Sequence, residues 1–80
     1  MDSVIAQVER EASAADERYG SYASTHEGYG VLAEEMAELL TAIRANDLEA
    51  VKAEAIQVSA AAARLAGACL GLAFIQRSIP

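Results

Sequence analysis

The chain has 80 residues and a mass of 8.4 kDa, with 12 acidic and 6 basic residues giving a formal net charge of −6. That length allows one domain over residues 1–80, and a monomer of this size buries only roughly 60% of the surface its unfolded chain exposes. Its acidic balance opposes binding to a nucleic-acid backbone as the main activity. The lone Cys69 excludes an intramolecular disulfide.

Of all residues, 54% are apolar but only 5% are aromatic, and 19 of the 80 are alanine. Alanine is the best helix former and the smallest side chain after glycine, so the composition predicts closely packed helices. It also leaves one copy with little bulk for a thick core, which predicts a homodimer or homotetramer. The opening MDSVIAQVERE lacks the basic and apolar regions of a signal peptide. The most apolar stretch, Leu65 to Ile75, has 11 residues between Arg64 and Arg77, against about 20 needed to cross a bilayer. The expectation is a cytoplasmic protein with no membrane partner.

The first segment, from about Asp2 to Tyr19, repeats Val4, Ile5, Val8, Ala12 and Ala15 at helical spacing. Asp2 or Ser3 can cap its start, and Gly20 suits its end. Gly20 to Gly30 holds three of the five glycines, two of the three tyrosines and the only histidine, and reads as a loop. Ser24 or Thr25 can cap the helix that follows. That second helix, from about Glu27 to Ala45, carries a stripe of Leu32, Met36, Leu39 and Ile43. Asn46 can end it in a left-handed conformation, and Asp47 can cap a third segment from Leu48 to Gln76. There the stripe is Val51, Ala55, Val58, Ala62 and Leu65, with Ala55 and Ala62 small enough to let helix axes approach. Gly67 and Gly71, one turn apart, can break this helix near residue 67. The expected architecture is an all-α helical bundle: an N-terminal helix, an antiparallel helical hairpin and a short apolar tail, completed by oligomerisation.

Helical geometry, at about 100° per residue, places the acidic residues. With Leu32 at zero, Glu35 falls at about −60°, Glu38 at about −120° and Glu34 near 200°, on the far face in water. With Val51 at zero, Glu54 falls at about −60° and Gln57 at about −120°. The matching offsets let Glu35, Glu38, Glu54 and Gln57 converge beside one groove when the stripes pack. Carboxylates that close raise each other's pKa unless a cation sits between them. An all-oxygen set on rigid helices suits Mg²⁺, or Mn²⁺. The competing reading is that glutamates merely solubilise alanine-rich helices.

The run VLAEEMAELLTAIRANDLEAVKAEAIQVSAAAARL, residues 31–65, resembles the MazG-like all-α nucleoside triphosphate pyrophosphohydrolases of the short bacterial and phage type. Their motif pairs E-x-x-E with E-x-x-D across a helix–turn. Glu35–Glu38 matches the first pair, and Glu54–Gln57 matches the second with Gln57 where the family has Asp. Asp16 to Gly20 looks like the end of the N-terminal helix in short members. The resemblance implies Mg²⁺-dependent hydrolysis of an NTP or dNTP to the monophosphate and pyrophosphate. Glu35, Glu38 and Glu54 would then be catalytic and, with Gln57, hold the metal. The alternative is a non-catalytic helical oligomerisation or binding module that keeps the fold with a degenerate site.

Outside the motif, His26, Arg18 and Lys52 are candidate substrate-binding residues, although Lys52 falls about 100° from the Val51 stripe, on the side away from Glu54. Arg44 and Arg64 are further candidate phosphate binders, with surface solvation as the default for each. Tyr19, Tyr22 and Tyr29 can stack on a base or pack the loop onto a helix. Cys69 reads as a small core residue.

Overall fold

The computed structural model describes residues 3–78, with side chains through residue 70. The described residues form three α-helices and no strand: α1 (Val4–Tyr19), α2 (Thr25–Arg44) and α3 (Leu48–Ser78). Local hydrogen bonding explains each boundary. Ser3 Oγ accepts from the Ala6 N–H at 2.9 Å and starts α1. Gly20, at φ 76°, ends it while its own N–H donates to Asp16 O. At α2, Ser24 Oγ accepts from the Glu27 N–H, and Glu27 Oε1 accepts from the Ala23 N–H at 2.7 Å. Ser24 thus satisfies one donor that the first helical turn leaves open, while Glu27 reaches back to the residue before the cap.

Between α2 and α3 the chain makes a Schellman turn. Asn46 takes φ 54°, its N–H donates to Ile43 O, and the Asp47 N–H donates to Ala42 O. Asp47 then caps α3 by accepting from the Ala50 N–H at 3.1 Å. Two local expectations are corrected. The loop is only residues 20–24, since Thr25 to Gly30 already belong to α2. The helix does not break at Gly67; α3 runs unbroken for 31 residues, which matches the 48 Å long axis of the molecule. The expected apolar tail is therefore the end of α3, and its side chains from residue 71 lie outside the described residues.

α3 is the central element, because α1 and α2 both pack on it and not on each other. Its packed positions are Ile56, Ala60, Ala61 and Ala68, all buried. Ala62, expected to let axes approach, is exposed; Ala60 and Ala61 take that role because α3 must face two neighbours. On α2 the buried positions are Gly28 and Ala42, with Leu32, Glu35 and Leu39 half-buried between them. Met36 and Ile43, expected in the core, remain 51% and 52% exposed. Cys69 is also exposed and is no core residue.

A compact cluster fastens the loop to α3. Tyr22 is buried, and its hydroxyl donates to Ala61 O at 3.3 Å. The Arg64 guanidinium lies over the Tyr22 ring, 4.4 Å from its centroid. Arg64 Nε donates to Asp16 Oδ1 at 2.8 Å, and Nη2 donates to Gly20 O at 3.1 Å. Arg64 is thus a nearly buried clamp joining α1, the loop and α3, not a solvated surface cation.

Gly28 completes the cluster. A Cβ there would meet Leu65 Cδ1 at 2.6 Å and Tyr22 Cδ2 at 2.8 Å, so α2 can approach α3 this closely only without a side chain. Gly30, two residues on, has nothing within 4 Å of the same position. Gly28→Ala should therefore destabilise the fold by about 1–3 kcal/mol through overpacking. Gly30→Ala should stabilise it by about 0.5–1 kcal/mol by removing unfolded-state freedom. Urea unfolding of the two variants checks the contrast, and equal midpoints would refute the close-approach account.

Candidate metal centre

The spacing of Glu35 and Glu38 puts both carboxylates on adjacent turns of α2, and Glu54 reaches them from the second turn of α3. One oxygen from each lies within 4.8 Å of the others. Glu35 and Glu54 are half-buried in the seam between the helices, while Glu38 sits at its exposed rim. Glu35 Oε2 and Glu54 Oε2 are buried without any hydrogen-bond partner. Unsatisfied buried carboxylate oxygens are costly, and each such atom calls for a proton, a donor or a cation.

The electrostatics point the same way. Burial pushes the Glu35 carboxyl above its ordinary pKa, and the Glu38 charge pushes it further. A hydrogen bond with Glu38 adds to the shift, as do the charges of Glu54 and Glu34. Two carboxyl groups make such a bond only when one of them holds a proton. The seam therefore favours either a shared proton or a bound positive charge. All the donors are hard oxygens on rigid helices. A hard divalent cation that keeps several waters, such as Mg²⁺ or Mn²⁺, is chemically compatible with this donor set, and Glu35, Glu38 and Glu54 are the residues that would hold it.

Two openings flank the seam. The larger, of about 480 Å³, fills the gap between α1 and α2. Glu11 and Ala15 form one wall, Val31, Glu34 and Glu35 another, and Gln57 and Arg64 line it from α3. Glu34, expected on a far face in water, is exposed but lines this cavity. The smaller opening, of about 470 Å³, is lined by Glu38 and Glu54 beside the α2–α3 turn. Glu35 and Gln57 thus face one opening, and Glu38 and Glu54 the other. Gln57 is half-buried, one turn beyond Glu54.

The remaining sequence candidates lie elsewhere. Arg18 stacks over Tyr19, 5.4 Å from the ring centroid. Lys52 pairs with Glu49 at 3.6 Å across the exposed face of α3. His26 is exposed in the first turn of α2. None of the three lines either opening. Tyr19 does line the larger cavity, and Tyr22 forms its inner edge while holding the loop. The contribution of α1, through Glu11 and Ala15, gave no sequence signal, since both sit in an ordinary amphipathic pattern.

No protein-family model, curated protein or solved structure matches the chain.

The sign of the Glu35 effect on stability follows from its raised pKa. Between the ordinary carboxylate value and the raised one, the folded state binds more protons than the unfolded state. Stability contributed by Glu35 protonation is complete below that window and is lost as pH rises through it. Glu35→Gln, which keeps the shape without the charge, should raise Tm at pH 7 in metal-free buffer. The gain should shrink as pH falls below the ordinary carboxylate range. Thermal melts across pH check this, and a Tm at pH 7 lowered by the substitution would contradict the repulsive seam.

Proposed function

We propose that the chain is a Mg²⁺-dependent nucleoside triphosphate pyrophosphohydrolase, converting an NTP or dNTP to the monophosphate and pyrophosphate. The observation that carries this reading is the convergence of Glu35, Glu38 and Glu54, with two buried oxygens lacking a partner. The likeness of residues 31–65 to the MazG-like motif supplies the substrate class.

In this reading the three carboxylates hold the cation on the rim and floor of the seam. A bound divalent ion supplies charge neutralisation for the triphosphate and acidifies a coordinated water. Hydrolysis would add a water across the anhydride between the α- and β-phosphoryl groups, with pyrophosphate leaving. Glu35, at the edge of the larger cavity, would hold the ion beside the attacking water. The larger cavity is adjacent to Glu35 and holds Tyr19, whose exposed ring is available to a base. Arg64 is committed to Asp16 and Gly20, so it is not the group that would meet the phosphate charge.

One observation favours the second reading, a helical binding module with a weakened site. Gln57 brings an amide, not a carboxylate, to the cavity wall, which removes one negative charge from the set the family carries. An amide oxygen can still coordinate Mg²⁺, so the readings differ in how strongly the ion is held.

A panel of NTPs and dNTPs with Mg²⁺ or Mn²⁺ tests the reading. Pyrophosphate release should appear for at least one nucleotide and fall by about a hundredfold or more in Glu38→Ala, the magnitude expected for loss of a direct ligand. Gln57→Asp should lower the Mg²⁺ concentration needed for half-maximal rate. Release unchanged in Glu38→Ala would contradict the enzyme reading. Activity that arises only in Gln57→Asp would establish the second one.

A further inference from the structure

The larger cavity holds an unequal set of hydrogen-bonding groups. Glu11 of α1 and Glu34 of α2 line opposite walls, and the Gln57 amide of α3 lies between them. The other polar groups at the cavity are engaged. Arg64 donates to Asp16 and Gly20, the Tyr22 hydroxyl donates to Ala61 O, and Glu27 caps α2. Glu35 belongs to the carboxylate seam. Glu11, Glu34 and Gln57 make no hydrogen bond or ion pair among the described residues. A carboxylate only accepts, whereas an amide both donates and accepts. The uncommitted wall is therefore rich in acceptors and poor in donors.

The volume of about 480 Å³ lies within the range of about 300–1,000 Å³ found for small-molecule sites. The Tyr19 ring lines the cavity and is 70% exposed, a flat surface on which another ring can lie. Carboxylates that no cation neutralises repel a phosphate, so this cavity suits the uncharged end of a nucleotide. Acceptors on the wall are matched by a base that presents N–H groups. Cytosine and adenine do so with an exocyclic amino group, where thymine presents a carbonyl oxygen. A carbonyl facing Glu11 or Glu34 finds no proton to share, and both oxygens lose the hydrogen bonds they make to water.

We propose that this cavity selects a nucleobase bearing an exocyclic amino group, with Glu11 and Glu34 accepting its N–H groups and Gln57 donating to the adjacent ring acceptor. The nucleotide class is taken from the pyrophosphohydrolase reading, on which this selectivity rests. Glu11 and Glu34 thereby gain a role, since neither belongs to the cluster of Glu35, Glu38 and Glu54.

Amide NMR titration of the full chain with nucleosides at millimolar concentration tests the selectivity without cation or turnover. Cytidine is compared with uridine, and adenosine with inosine, each pair exchanging an amino group for a carbonyl. The amides of Ala15, Tyr19 and Ala61 should shift with cytidine and adenosine, while uridine and inosine bind roughly tenfold more weakly. Glu11→Gln and Glu34→Gln each add a donor to the wall and should narrow that preference by about threefold or more. Glu17→Gln removes the same charge outside both openings and should leave the preference unchanged. Equal binding within each pair, no shift with any of the four nucleosides, or a preference untouched by both wall variants overturns the proposal. Pyrophosphate release separates it from the enzyme reading. Release at equal kcat/KM from dCTP and dUTP overturns the base preference and keeps the enzyme; no release from any nucleotide overturns the enzyme, and amino-selective shifts then still uphold the cavity's preference.

Discussion

Two helices that pack closely with carboxylates in their seam set the terms for everything else in this molecule. Gly28 and Ala42 remove side-chain bulk from the α2 side of the contact, and Gly28 has no room for a methyl group. Glu35 and Glu54 are held together inside that contact, each with one oxygen that finds no donor. Among the described residues, Arg64 is engaged with Asp16 and Gly20 and Lys52 with Glu49, so neither of these two neutralises the pair. Burial and the neighbouring carboxylates raise the proton affinity of Glu35. The proposed chemistry uses this instability: an ion that relieves it is also positioned to receive a triphosphate.

The clamp of Tyr22, Arg64 and Asp16 gives that seam a fixed neighbour. By tying α1 and the loop to α3, it leaves a gap between α1 and α2 rather than a direct contact. The gap opens on Glu35 from one side while Glu38 and Glu54 face the other opening. A substrate with a charged end and a flat end could therefore extend from the carboxylates along α1.

Much of this was legible in the sequence wherever the physics is local. Ser3, Ser24, Gly20, Asn46 and Asp47 mark helix ends because capping is decided within a few residues. The meeting of Glu35, Glu38 and Glu54 followed from their angular offsets alone. Gly28 did not announce itself, because glycine among tyrosine, serine and histidine signals a loop, while its actual role comes from Leu65, far along the chain. Arg64 and Tyr22 were obscured for the same reason; their partners lie 48 and 39 residues away. Met36 and Ile43 show a different limit. Periodicity identifies residues that share a helix face, but not whether the chain itself supplies the cover. On α3, alanine on several faces gave too little polarity contrast to tell Ala60 and Ala61, which pack, from Ala62, which does not.

The central claim is that the carboxylate seam is a cation site. Anomalous diffraction from crystals of the protein grown with Mn²⁺ measures it directly. The account predicts a manganese peak between Glu35, Glu38 and Glu54, with oxygen distances of about 2.0–2.3 Å, and no peak of similar height in crystals of Glu54→Gln. A well-ordered seam without manganese, or ions found only on exposed carboxylates elsewhere, would contradict it.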